Sequence, residues 1–338
     1  MPTNSSDRRP PLDRAVAELR LAVRSSLTAN VRQGETVLVA LSGGPDSLAL
    51  AAATAFEAGK LGITAGAVIV DHGLQDGSAD VAARAATQAR ALGLTPVIET
   101  RVSIGSAGGP EAAARTARYA AFESALTDTG ASALLLGHTL DDQAETVLLG
   151  LARGSGSGSL MGMAPVSGRY LRPLLGVRRE ATHAACVAKG LEPWTDPHNS
   201  DPSFTRVRVR ETVLPVLERE LGPGIAEALA RTAEQLREDT EAFDSMIDEF
   251  IEEICEPAEA GIAVSVSALA ANPAALRNRI IRMVAFSEFG QSLSRQHTLA
   301  IAALVTDWRG QGPIDVPGIS VTRNGGLLEF SAQTPAIG

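Results

Sequence analysis

The chain has 338 residues, enough for two domains that each bury a core, and no apolar run reaches about 18 residues, so a membrane span is excluded and a soluble, cytoplasmic protein is expected. Its net charge of −9 argues against a nucleic-acid partner only as an average, because residues 1–215 balance 21 basic against 21 acidic side chains while residues 216–259 carry 3 against 14. The two cysteines, Cys186 and Cys255, stand far apart and exclude a disulfide framework and any Cys-x-x-Cys pair for metal or sulfur chemistry.

Residues 1–12 are polar and proline-rich and read as a frayed start. Apolar residues at Val16, Leu19, Val23 and Leu27 predict an amphipathic helix over 12–27. The stretch that organises the chain follows. Thr36 to Leu41 is a buried-strand pattern, Ser42-Gly43-Gly44-Pro45-Asp46-Ser47 is a tight loop, and an Ala/Leu-rich helix runs on from it. Such a loop lets backbone N–H groups converge on an anion, with the helix N-terminus adding positive charge. Asp46 is repulsive beside phosphates unless a divalent cation bridges the two, so the loop predicts Mg2+ together with a nucleotide.

A second strand is expected over 63–70, ending in Asp71-His72-Gly73, then a helix over 80–92, a short strand over 95–99 and a flexible loop over 103–110. A helix over 111–126 carries Arg115, Arg118 and Tyr119, arginine being suited to carboxylate or phosphate. The fourth strand, 133–136, runs into Gly137-His138-Thr139-Leu140-Asp141-Asp142-Gln143-Ala144-Glu145-Thr146, with Thr139 as the expected helix cap. His138, Asp142 and Glu145 then lie together at a strand's carboxyl end, able to hold a metal, hold an ammonium group or take a proton.

The Gly/Ser-rich stretch from Arg153 to Gly168 reads as a mobile lid or as a plain connector. A fifth strand over 170–175 and a helix over 178–189 follow, and then Arg206, Arg208 and Arg210, which would share one side of a strand but spread around a helix. Residues 216–256 are expected as a long acidic helical connector. Beyond it come strands near 264–266, 319–322 and 327–330, with helices over 273–289, which carries Arg277, Arg279 and Arg282, and over 297–308. The expected division is a nucleotide domain over 1–215, the acidic helical linker over 216–259 and a small, mostly helical α+β domain over 260–338. The first domain is α/β, an open parallel sheet of Rossmann-like type.

These stretches resemble the tRNA(Ile)-lysidine synthetases of the PP-loop ATP pyrophosphatase superfamily. The resemblance rests on Ser42 to Ser47, Asp71-His72-Gly73, residues 114–119, Gly137 to Thr146, Arg153-Gly154-Ser155-Gly156, Arg172-Pro173-Leu174 and residues 196–210. Where the family usually shows Arg-Asn, this chain has Arg206-Val207. The resemblance implies two steps. The wobble cytosine O2 of a CAU-anticodon isoleucine tRNA attacks the α phosphorus of ATP and pyrophosphate leaves. The ε-amine of L-lysine then attacks C2 and AMP departs, so that the codon read changes from AUG to AUA. Ser42 to Ser47 would hold ATP, Asp46 the Mg2+, and Asp142 and Glu145 the lysine ammonium, with His138 as a proton relay. Arg115 or Arg208 would meet the lysine carboxylate, and Arg118, Arg153, Arg206, Arg210, Arg277, Arg279 and Arg282 the tRNA. A homodimer is compatible with the family. The rival readings are a tRNA cytidine thiolation-type enzyme, disfavoured by the missing cysteine pairs, and a non-catalytic RNA-binding module, which would not need Asp46.

Overall fold

The structure is a computed structural model and describes residues 12–73, 77–102, 110–154, 157–196, 200–258 and 261–333. It divides into two compact units, one up to Glu234 and one from Gln235. All but the last position of the loop expected over 103–110 lies outside the described residues.

In the first unit β1 (Thr36–Ala40), β2 (Thr64–Asp71), β3 (Val97–Arg101), β4 (Ala133–Leu135), β5 (Val166–Ser167) and β6 (Tyr170–Leu171) form one sheet in the order β3-β2-β1-β4-β6-β5. All neighbours are parallel except β5 against β6. The period of two along each strand sorts the core. Val37, Val39, Ala67, Ile69, Ala133 and Leu135 face one layer, and Leu38, Val68, Leu134 and Leu136 face the other. The first layer is closed by α1 (Arg14–Asn30), α2 (Pro45–Leu61), α3 (Ser78–Ala91) and α7 (Arg179–Lys189), the second by α4 (Pro110–Thr129) through Phe122, Ala125 and Leu126. A fully buried Val or Leu contributes about 1.5–3 kcal/mol, whereas an exposed ion pair contributes about 0–1 kcal/mol. Apolar alternation, not pairs such as Arg90–Glu99 at 2.7 Å, therefore sets the register.

Helix α1 buries the four residues its spacing singles out, and Asp13 caps it by accepting from Ala15 and Val16 amides. A further tie is Arg24, whose guanidinium donates to both carboxylate oxygens of the fully buried Glu57 on α2, at 2.7 and 3.1 Å.

α5 (Leu140–Arg153) and α6 (Ser157–Leu160) decide between lid and connector for the part of 153–168 that is described. Gln143 brackets Met163, donating to its carbonyl at 2.9 Å and accepting from its amide at 2.7 Å, and Arg172 donates to the Ala164 carbonyl at 2.8 Å. A Cβ on Gly150 would lie 2.4 Å from the Ser159 carbonyl oxygen. The segment is thus a connector clamped onto α5. Gly150→Ala is expected to destabilise the protein by about 1–3 kcal/mol in urea titration, through forced separation of two packed backbones.

The helix expected over 216–256 is broken. α8 (Thr205–Arg208), a π turn (Val209–Val213) and α9 (Leu214–Leu221) end at Gly222-Pro223-Gly224, and α10 (Ile225–Asp248) starts anew; the division between the units falls within α10. Both glycines have φ of 98°, which a helix interior does not allow, and the Glu218 carboxylate caps the restart by accepting from the Gly224 and Ala226 amides at 2.7 and 3.1 Å.

The second unit ends that acidic stretch in a strand. α11 (Ile251–Ile254) is followed by β7 (Cys255–Ala258), and β8 (Gly261–Ser265), β9 (Ile314–Val316), β10 (Ile319–Asn324) and β11 (Leu327–Ala332) complete an antiparallel sheet in the order β7-β8-β11-β10-β9. α12 (Val266–Ala271), α13 (Ala274–Phe289) and α14 (Arg295–Thr306) pack a core of Leu269, Ile280, Ile281, Ile301, Leu304, Leu328 and Phe330 with it. Val266 opens α12 instead of closing a strand, because the Ser265 hydroxyl caps the Ala268 amide at 3.3 Å. Among the described residues no helix is long and apolar enough to cross a membrane.

Candidate active site

The strand order reverses between β1 and β4, and open α/β sheets bind ligands in the crevice at such a point, outside the carboxyl ends of the strands. The two loops that leave there touch. A Cβ on Gly137 would lie 3.2 Å from the Asp46 carbonyl and the Ser47 Cα, so a side chain there would press the turn after β4 off the loop after β1 by a few tenths of an ångström. A cavity of about 750 Å3 opens above them, lined by Ser42, Asp46, His72, Arg118, His138 and Asp142 among others.

The Ser42–Ser47 loop is built to keep its shape. Gly43 adopts φ of 84°, the Ser47 hydroxyl donates to the Gly44 carbonyl at 3.0 Å, and the Ser42 amide donates to that hydroxyl at 3.2 Å. The Trp194 amide holds the Gly43 carbonyl at 2.9 Å. Gly44 caps α2 without a side chain and Pro45 takes its first turn, so the helix presents its N-terminal end to an anion.

Asp46 faces the opposite way electrically. Burial raises its carboxyl above the usual range and the charge of Asp142 adds to that, against the Thr182 hydroxyl, which bonds Oδ1, and the Arg179 guanidinium 3.6 Å from Oδ2.

Thr139 caps α5 as expected. Its hydroxyl accepts from the Asp142 amide at 3.4 Å, and Asp142 Oδ2 accepts in return from the Thr139 amide at 2.8 Å, completing a capping box. Asp142 turns its other oxygen to Arg179 Nη2 at 2.7 Å. Burial works to raise the Asp142 carboxyl, but Arg179, the Thr139 amide and His138 hold it below the usual range. Its side chain stays 14% exposed and lines the cavity. Glu145, expected beside it as a second ligand for lysine, is 0% exposed, and Arg210 grips it from both sides, Nε to Oε1 at 2.7 Å and Nη2 to Oε2 at 3.1 Å. Three residues along a helix do put the two carboxylates on one face, but that face turns from cavity to core within one turn.

The arginines are sorted differently from expectation. Arg115 is exposed, stacks on Tyr119 with its guanidinium 4.8 Å from the ring and does not line the cavity. Arg208 is spent on its own turn, donating to the Pro202 and Ser203 carbonyls at 2.7 and 2.8 Å. Arg118 instead lines the cavity. Its Nε is buried without a hydrogen-bond partner, and burial, with Arg115 and Arg206 nearby, lowers its pKa. Among the described residues no carboxylate pairs with it, and a half-buried guanidinium so placed calls for an anion from outside. The histidines cannot compete for that role. Burial pushes His138 down to about 4, so it is neutral near pH 7, and burial followed by Arg118 lowers His72.

Of the arginines expected at tRNA, Arg153 is exposed in the last turn of α5 and Arg206 is exposed with one donor on the Thr146 hydroxyl at 3.1 Å. Arg210 is the clamp on Glu145. In the second unit Arg279 pairs with Asp244 at 3.2 Å and stacks on Phe243, Arg277 donates to the Asn272 carbonyl at 3.2 Å, and Arg282 is half-buried between Arg279 and Arg295, burial lowering its pKa.

Arg179 and Thr182 belong to no motif the sequence offered. Both sit in the first turns of α7, packed against the loop and α5, and no local pattern marks them.

Among the described residues no three His, Cys, Asp or Glu side chains are placed to hold a metal by themselves. Mg2+ usually takes one or two carboxylates and completes its shell with water and substrate phosphates, and Asp46, which lines the cavity beside the Ser42–Ser47 loop, is a carboxylate that could serve as one such donor.

Residues 18–217 match a family model described as a PP-loop domain, and residues 265–328 one described as a TilS substrate binding domain. The chain is 64% identical to a tRNA(Ile)-lysidine synthase of Leifsonia xyli over 89% of its own length and 91% of that protein. It is 53% identical to the synthase of Thermobifida fusca over 90% and 93%, and 49% to that of Mycobacterium tuberculosis over 89% and 91%. In fold it is similar to a U34-tRNA thiolase from Methanococcus maripaludis solved with its [4Fe-4S] cluster, with a TM-score of 0.56 at 19% identity over 66% of this chain and 80% of that one. Cys186, buried on α7, and Cys255, in the second unit, are the chain's two cysteines, too few to ligate such a cluster. With its loop, its capped acidic turn and both family matches in place, the chain belongs to the tRNA(Ile)-lysidine synthases, PP-loop enzymes that use ATP.

Proposed function

We propose that the cavity joins L-lysine to C2 of the wobble cytidine of the CAU-anticodon isoleucine tRNA, in the cytoplasm, through an adenylated cytidine. One observation carries the assignment of roles: the same cavity is lined by an anion cradle, Ser42–Ser47, by an exposed edge of Asp142 and by Arg118, whose Nε has no hydrogen-bond partner among the described residues. The cradle takes the β and γ phosphates of ATP. Asp46 would hold Mg2+ together with phosphate oxygens, and the ion would supply charge neutralisation for the departing pyrophosphate.

Lysine is a zwitterion with a second cation at its far end, and the cavity offers both complements. Asp142 takes the ε-ammonium and Arg118 the carboxylate, in place of the Arg115 and Arg208 that the sequence suggested. Glu145 acts one step back, fixing Arg179 and Arg210 around Asp142. Free lysine has a pKa of about 10.4, so the amine must lose a proton before it attacks. Neutral His138 lines the cavity and would at most relay that proton, since burial lowers its pKa to about 4 and makes it a weak acceptor.

Pyrophosphate release in the presence of tRNA, measured with and without lysine, tests the reaction. Asp142→Asn and Arg118→Met are each expected to raise the lysine KM about tenfold or more, the worth of one charge-assisted contact, with tRNA-dependent pyrophosphate release retained. Arg115→Met should leave that KM within about twofold. An unchanged KM in both cavity variants would remove lysine from this part of the site.

A further inference from the structure

Three carboxylates from the first turns of two helices, Asp46 on α2 and Asp142 and Glu145 on α5, converge beside the cavity, the first two lining it. Asp46, Asp142 and Glu145 all contact Arg179, at 3.6, 2.7 and 3.3 Å, and Arg210 reaches Asp142 at 3.7 Å as well as Glu145. Asp141 is answered separately, accepting from the Arg179 amide at 2.7 Å and pairing with Arg178 at 3.2 Å. Other titratable groups lining the cavity include His183, on α7 itself, His138, His72, Arg118 and Glu211. Among the described residues, the ion pairs of these three carboxylates run to two guanidiniums, Arg179 and Arg210. Every cation the reaction brings therefore meets carboxylates that already have a partner.

Arg179 is well placed to be that partner reversibly. Its backbone is fixed by Asp141, and α7 is pinned to the loop independently by the Thr182 hydroxyl on Asp46 and by Cys186 Sγ, 3.4 Å from the Pro45 carbonyl. The side chain can thus shift its weight among carboxylates while the helix stays in place. Its contact with Asp46 is the longest of the three and the first that a competing cation would replace.

We propose that Arg179 is a positioning residue that fills the cation position between Asp46 and Asp142 until nucleotide arrives, so that neither a free divalent ion nor lysine alone takes these carboxylates. The inference rests on the reading of Asp46 and Asp142 as the groups that meet Mg2+ and lysine. Arg179 would give up Asp46 to a divalent ion only where phosphate oxygens complete that ion's shell. Once Asp46 is taken, Arg179 falls back on Glu145 and yields its share of Asp142 to the lysine ammonium. Binding is consequently ordered, nucleotide before lysine.

Calorimetry on the full chain with Mn2+ alone, with no nucleotide, tests this. Wild type should bind Mn2+ weakly, and Arg179→Gln, which uncovers the carboxylates, about tenfold or more tightly, whereas Arg179→Lys keeps a cation in place and stays within about threefold of wild type. A folded Arg179→Gln protein with wild-type Mn2+ affinity overturns the proposal, and so does one that merely loses thermal stability, since a purely structural residue would do that. Should Arg179→Gln fail to fold, wild type still decides: lysine titrated with Mg2+ and a non-hydrolysable ATP analogue should bind about tenfold or more tightly than lysine alone, and equal affinities overturn it. If wild type releases no pyrophosphate with tRNA, the proposed reaction falls while the Mn2+ comparison still stands.

Discussion

Asp46→Asn is expected to lower tRNA-dependent pyrophosphate release by about a thousandfold or more, a loss of about 4 kcal/mol of transition-state stabilisation, while tRNA affinity stays within about twofold. The substitution is nearly isosteric and keeps an oxygen for the Thr182 hydroxyl, so the loop should retain its shape. What disappears is a negative charge held where the fold itself resists it, by burial first and by Asp142 second. The raised pKa belongs to the folded state. Ionisation of Asp46 therefore subtracts stability as pH climbs upward through the carboxylate range, and asparagine removes that cost. The variant should unfold at the same temperature as wild type or higher while losing the chemistry. Pyrophosphate release within tenfold of wild type would take Asp46 out of the first step.

What the sequence makes legible, and what it does not, divides along chain distance. The strand–loop–helix around Ser42 to Ser47 is local: a run of apolar β-formers, a glycine at φ of 84° and a proline at the first helical turn are each properties of adjacent residues. The same holds for Thr139 capping Asp142 three residues on. Arg179 is the opposite case. It acts on Asp142 and Glu145 from 37 and 34 residues away, so only the packing of α7 against α5 brings the three together. Glu145 lies between these extremes. Its spacing from Asp142 correctly puts both on one helix face, but where the boundary between cavity and core crosses that face depends on Arg210, 65 residues on. Arg115 and Arg118 repeat the lesson. Both sit on α4, yet one stacks on Tyr119 at the surface and the other enters the cavity, and the difference lies in how the helix is rolled against the sheet.

Arg210→Met is expected to destabilise the protein by about 3 kcal/mol, lowering the thermal midpoint by about 6–12 °C. Glu145 is fully buried and would keep only Arg179, at 3.3 Å, so a carboxylate now answered by two cations would share one with Asp142 and Asp46. Removing one partner of a buried ion pair costs more than removing both, because the orphaned charge keeps its desolvation penalty. The double variant Arg210→Met with Glu145→Leu should therefore recover more than half of the lost stability, although the lysine KM should remain raised, since Asp142 loses the neighbours that fix it. A contact of Arg210 with tRNA phosphate alone makes the reverse forecast: unchanged thermal unfolding and weaker tRNA binding that steepens with salt. Calorimetric unfolding of the two variants beside a tRNA titration at two salt concentrations separates these outcomes. An unaltered midpoint in the single variant would return Arg210 to the tRNA-facing surface and leave Glu145 to be explained by Arg179 alone.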